Sequence, residues 1–181
     1  EKEAKRRGLS NVGDTPRALD FLLTKKAKDL FKRHGVLNEI EIQARHEIML
    51  ENYIMKVQIE ARVMGDLALN HIIPTAIIYQ NKLIQNANGL KGLGINADDI
   101  IETIEELSKH VSIIKKLTNE MVGERKKVNK MEDSRARAIA YCDQVKAKYF
   151  DQIRYSVDKL ELLVDDEDWP LVKYRELLFL R

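Results

Sequence analysis

Apolar residues recur at helical spacing along most of the chain, most densely from Asn38 to Asn88. There Leu50, Ile54, Val57, Ala61, Met64 and Ala68 step by four and three, which places them on one stripe of a helix. Ile59, Val63, Leu67, Ile72 and Ile73 widen that surface until little of the circumference before Pro74 is polar. A helix so apolar is expected to be surrounded, so this segment is predicted as the central member of a bundle. Asn38 with Glu41 reads as a capping box at its start. Pro74 removes one backbone hydrogen bond and crowds the preceding turn. Ala76, Ile77, Leu83 and Ile84 keep helical spacing beyond it. The helix is therefore predicted over 38–73, continuing past a kink at Pro74 to 88.

The flanking segments follow the same grammar. Thr15-Pro16 predicts a helix start, with threonine as cap and proline in the first turn. Ala18, Leu19, Leu22 and Leu23 give it a short apolar face. Thr24 either caps a further turn or lies within one helix, with Leu30 and Phe31 expected inward. Gly35 ends it, and so short a connection to Asn38 implies an antiparallel hairpin. Gly89, Gly92 and Gly94 mark a turn between helices; their spacing and the absence of a preceding strand exclude a phosphate loop.

A second long helix, 96–131, starts at Asn96 or Asp98. Ile100, Ile104, Leu107, Val111, Ile114, Thr118, Met121, Arg125 and Val128 follow a heptad that only Thr118 and Arg125 interrupt. A third, 134–164, carries Ala138, Cys142, Val145, Tyr149, Ile153, Val157, Leu160 and Val164 on its stripe, which makes Cys142 a buried structural thiol. The carboxylates of Asp165, Asp166, Glu167 and Asp168 precede Trp169-Pro170, with Asp168 as cap of a last helix over 169–180. Trp169, Leu171, Val172, Leu177, Leu178 and Phe179 are available there to dock. The prediction is an all-α antiparallel bundle: a flexible lead over 1–13, then a single helical domain over 14–181.

Composition agrees with that class. Of 181 residues, 44% are hydrophobic and 33% charged, with only 3 prolines. Balanced charge, +2 overall, gives no general drive toward nucleic acid or an anionic membrane. The basic group Arg125, Lys126, Lys127, Lys130, Arg135 and Arg137 lacks interleaved aromatics and reads as a solvated hairpin tip, so no nucleic-acid partner is expected. One cysteine excludes an internal disulfide and fits a reducing, cytoplasmic setting. No apolar run long enough to span a bilayer and no signal peptide are seen, so no membrane partner is expected. The opening EKEAKRR, without methionine, is expected of a segment of something longer.

Catalytic motifs are absent. His34, His46, His71 and His110 are preceded three residues earlier by Phe31, Gln43, Ala68 and Leu107, so no Glu-x-x-His pair exists for a di-iron bundle. His46-Glu47 lacks the second histidine of the zinc pattern. The acidic run lacks the spacing and glycine of a calcium loop. No catalytic, cofactor-binding or metal residue is therefore assigned. What stands out is polar: Arg62, Asp66, Asn70 and His71, set in the most apolar stretch. Arg62 and Asp66 are four apart and able to pair. The four form either a buried network that fixes helix register or a ligand or subunit contact.

The run from Ile59 through Arg62, Asp66, Asn70, His71 and Pro74 to Ile77, followed by Tyr79-Gln80-Asn81, closely resembles the C-terminal region of type III glutamine synthetases. So do Arg45-His46-Glu47-Ile48 with Leu50-Glu51-Asn52-Tyr53-Ile54, and the ending Asp165-Asp166-Glu167, Trp169-Pro170-Leu171 and Lys173 to Phe179. The similarity extends from Pro16 over nearly the whole chain and is mainly one of helical character over 86–135. It implies a parent that joins ammonia to glutamate with ATP and Mg or Mn, through a γ-glutamyl phosphate, in a dodecamer of two stacked hexameric rings. Its catalytic sheet would lie upstream, so this region is expected to be inactive alone, without its own cofactor, and to pack on the catalytic region and support homo-oligomer assembly. The alternative is a free-standing helical interaction protein.

Overall fold

The computed structural model describes residues 1–178. Among the described residues the fold is all-α and contains no strand. In order it runs α1 (Lys2–Arg6), α2 (Thr15–Leu19), a 3₁₀ turn (Asp20–Leu23), α3 (Lys25–Arg33), α4 (Glu39–Leu67), a π-helical segment (Ala68–Ile72) and α5 (Ile73–Gly92). Then come α6 (Asp98–Val128), α7 (Ser134–Ala140), a second π-helical segment (Tyr141–Phe150), α8 (Asp151–Leu163) and α9 (Tyr174–Leu178). The three predicted long helices are present, two of them as α–π–α composites. The described chain forms two compact units, Glu1–Glu60 with Glu124–Ala147, and Ala61–Gly123 with the described part of Lys148–Arg181.

In the first unit the helix boundaries are set by side chains. Asp14, not Thr15, caps α2, its carboxylate accepting from the Arg17 amide at 2.9 Å. Thr24 caps α3 by accepting from the Ala27 amide, so the 15–34 region is broken at Leu23 rather than continuous. Gly35 (φ 63°) closes α3: its amide reaches the Lys32 carbonyl and that of Val36 reaches Phe31. The Asn38 capping box forms in both directions, Glu41 N–H to Asn38 Oδ1 at 3.0 Å and Asn38 N–H to Glu41 Oε2 at 2.7 Å. Ile42, His46, Leu50, Ile54 and Val57 of α4 are buried with Val128, Ala138, Tyr141 and Val145. Leu30 is exposed, contrary to expectation, since α3 turns only part of its short apolar face inward.

The second unit explains how the helix passes Pro74. The Ile73 amide bonds the Ala68 carbonyl, five residues back, so the turn before the proline is widened into a π turn. That widening relieves the crowding a proline ring imposes on an α turn. The helix then runs to Gly92, four residues beyond the expected end at 88, with Gly89 and Gly92 inside it. Gly94 (φ 74°) supplies the terminating conformation, its amide on Lys91 and that of Ile95 on Leu90. Along α6 the heptad places Leu107, Ile114 and Met121 at zero exposure. Gln80 ties α5 to α6 by donating to Ser108 Oγ.

Two expectations on the third long helix and its sequel are corrected. The π segment over Tyr141–Phe150 shifts the stripe, so Tyr141 and Ser156 are buried where Cys142 and Val157 were expected, and Cys142 is half-buried. After Val164 the chain turns rather than starting a helix at 169. Asp165 accepts from the Glu167 amide, Asp166 pairs with Lys173, and Asp168 receives two bonds from Lys82 Nζ at 2.8 and 2.6 Å. Asp168 is thus the partner of a lysine on α5 and not a cap. Trp169 is buried as expected, whereas Val172, Leu177 and Leu178 are exposed. Phe179 and the predicted end of this helix at 180 lie outside the described residues.

Candidate functional site

The polar quartet lies on the surface. Arg62, Asp66, Asn70 and His71 are all exposed, which removes the buried-network option. Asn70 Nδ2 donates to Asp66 Oδ1 at 2.6 Å, while the expected Arg62–Asp66 pair is not formed. A helix repeat of 3.6 residues explains the placement: the quartet begins on the side of α4 turned away from buried Ala61 and Ala68. The apolar residues among which it sits in sequence share that outward side.

In the first unit the same outward side is apolar without interruption by buried neighbours. Ile48 is 58% exposed, Met55 50% and Ile59 53%, at spacings of seven and four. They stand opposite Leu50, Val57 and Ala61, which are nearly fully buried. α4 is therefore apolar on two faces, and only one is covered within the chain. The prediction that the helix is surrounded holds for its inner face alone.

The buried side of the first unit holds ion pairs that no local motif announces. Arg135 Nε donates to both Asp20 oxygens at 2.9 and 3.0 Å and its Nη2 to Oδ2 at 2.6 Å. His46, buried on the α4 stripe, places Nε2 3.2 Å from Asp20 Oδ1. The Arg135 guanidinium, helped by His46, holds the Asp20 carboxyl below its ordinary range. Arg17 similarly joins Asp14 (3.0 Å) to Asp143 (2.6 Å), holding the Asp143 carboxyl low. Tyr53, its phenol pushed up by burial and by a hydrogen bond with Cys142, walls a hollow of ≈ 440 Å³ beside Lys56, Glu60 and Lys146. These contacts join positions up to 126 residues apart, a separation at which sequence spacing carries no signal.

The second unit has a hollow of ≈ 510 Å³ along α6 and α8, beside His110. The His110 ring is buried, its Nδ1 has no hydrogen-bond partner, and its Nε2 is 3.9 Å from Glu106. Burial lowers its pKa. Among the described residues no three His, Cys, Asp or Glu side chains converge to hold a metal ion, so the metal chemistry implied for a parent enzyme does not fit this part. Nor is any described helix long and apolar enough to cross a membrane. The arrangement offers fastening through ion pairs and an uncovered apolar helix face for association.

Residues 1–91 match the family model described as glutamine synthetase C-terminal domain. The chain is 43% identical over 185 residues to a glutamine synthetase of Bacteroides fragilis (strain YCH46), covering 99% of this chain and 25% of that protein. It is 28% identical over 184 residues to the type-3 glutamine synthetase of Dictyostelium discoideum, covering 98% and 25%. With a glutamine synthetase of Butyrivibrio fibrisolvens the identity is 27% over 181 residues, covering 98% and 26%. The chain spans about a quarter of the length of these relatives.

Proposed function

The chain belongs to the glutamine synthetase C-terminal domain family, of the type III kind, and from that premise we propose that it is the non-catalytic helical part of such an enzyme. The parent would make glutamine from glutamate, ammonia and ATP with Mg or Mn, in the cytoplasm, using residues outside this chain. This part would pack on the catalytic region and support assembly of a homo-oligomer.

The outward face of α4 carries the assembly half of this reading. Ile48, Met55 and Ile59 expose a contiguous apolar stripe on a helix whose other face already fills the core. Such a stripe costs solubility unless something covers it. The clustered ion pairs around Asp20 and Arg17 hold α2, α4 and α7 in place behind that face, so it is presented on a fixed frame.

Placing Met55→Glu in the protein together with its upstream region tests this. The expected result is smaller assemblies by sedimentation with unchanged helical circular dichroism; unchanged assembly overturns the role. The catalytic half has its own test. The 181-residue chain alone is expected to bind no ATP, and micromolar ATP binding by it overturns the non-catalytic assignment.

A further inference from the structure

The exposed face of α4 has a pattern as well as an apolar character. Ile48, Asn52, Met55 and Ile59 are all exposed and alternate by four and three, the repeat of a coiled-coil seam. Assigning Ile48 and Met55 to the d positions puts Asn52 and Ile59 at a. The flanks are then charged with opposite sign: Glu51 immediately precedes the a-position Asn52, and Lys56 immediately follows the d-position Met55. Both are exposed, and among the described residues neither has an ion-pair partner. Arg45, one step earlier in the a series, ends the apolar run.

That arrangement distinguishes between possible occupants. In a parallel two-stranded seam, the residue before an a position faces the residue five places further on the other strand. Glu51 of one copy then meets Lys56 of a second copy, and symmetry makes the pair twice. An asparagine at a meets its own counterpart, where the two amides hydrogen-bond each other and fix the register. An antiparallel pairing sets each flank against its like, which brings Glu51 toward Glu51 and leaves Lys56 without an acid. Charge and the polar a position therefore favour one geometry, and one partner supplies it.

We propose that the Ile48–Ile59 face of α4 is a self-docking surface, which receives the same face of a second copy of this chain in parallel about a two-fold axis. The inference rests on the assembly role proposed above and names the partner for it. The seam is about two heptads long, and so small an interface supports only weak association, so it must be read at high concentration.

Sedimentation equilibrium of the 181-residue chain, up to about 0.5 mM, is the first measurement. A monomer–dimer equilibrium is expected. Glu51→Lys and Lys56→Glu should each weaken it by about tenfold, because attraction becomes repulsion at two symmetric places, and the double swap should restore it. Ile48→Cys in a Cys142→Ser background should form a disulfide between identical positions on mild oxidation, since only a parallel register brings Ile48 against Ile48. Serine preserves the hydrogen bond at 142 while removing the competing thiol. A chain that stays monomeric and does not cross-link overturns the proposal, as does a dimer indifferent to the charge swap. If the chain is monomeric while Met55→Glu still breaks assembly of the longer protein, the upstream region covers this face: self-docking fails and the assembly role stands. If the swap behaves as expected but the longer protein assembles normally with Met55→Glu, self-docking stands and the assembly role fails.

Discussion

α4 and α6 are nearly the same length, 29 and 31 residues, and bury comparable stripes, yet their outward faces differ. On α6 the surface opposite Leu107, Ile114 and Met121 is ionic and amide: Glu105, Lys109, Lys116, Glu120 and Lys127 are exposed there. On α4 the corresponding surface carries Ile48, Met55 and Ile59. Core formation requires one apolar stripe per helix. α6 stops at that requirement, and α4 exceeds it. The excess is not needed for folding within the chain, which is why it is informative about association.

The comparison can be broken most directly by truncating each face. Ile114→Ala, which removes a fully buried side chain from α6, is expected to destabilise by about 3 kcal/mol in urea unfolding. Met55→Ala at the same dilute concentration should change stability by less than about 0.5 kcal/mol. Comparable losses at the two positions would mean that the outward α4 face is already covered within the chain.

A smaller effect sharpens the account of how the two helices meet in the second unit. Gly65 of α4 faces Thr118 of α6, and a Cβ placed at Gly65 would lie 3.6 Å from Thr118 Cγ2, an ordinary contact. Gly65→Ala is therefore expected to raise stability by about 0.5–1 kcal/mol through helix propensity. A loss of stability would show that the helices need a closer approach than this distance implies.

The smallest expected effect is a pH dependence confined to α6. His110 is faced by Glu106 and Lys109 from its own helix and by Asp151, Tyr155 and Lys159 of α8. Burial outweighs Glu106 and keeps the folded pKa below the ordinary value of 6.5. The unfolded chain thus binds the proton first. Stability should be full above that value, decline as pH falls through it, and level off below the lowered folded pKa. Thermal melts of His110→Phe should lose this slope between neutral and mildly acidic pH, and a retained slope would assign it to another group.

Much of the helical framework was legible in the sequence because it rests on local chemistry. The Asn38–Glu41 box and the Gly35 stop involve residues three or four apart, so spacing alone identifies them. The stripe of the third long helix was misplaced after Ala138 because its periodicity assumed α turns, whereas the Tyr141–Phe150 segment is π-helical and brings Tyr141 inward in place of Cys142. Asp168 looked like a cap because its partner, Lys82, is 86 residues away. The polar quartet was read as possibly buried because α4 is apolar all round in sequence, and a sequence does not say which of two apolar faces the chain itself covers. The Asp20–His46–Arg135 cluster had no signature, since its members are assembled only by packing.

The π turn at Ala68–Ile72 also bears on how this region tolerates length change. A π turn holds about one more residue than an α turn, the outcome of a single-residue insertion into a regular helix. Removing one residue there would restore unbroken α geometry and still rotate everything downstream by about 100°. Ala76 and Ala87 would leave the interior, and Lys82 would swing away from Asp168. In this segment a one-codon deletion is therefore a larger change than most substitutions, while the loop at Leu93–Ala97 is where length can vary without turning a helix.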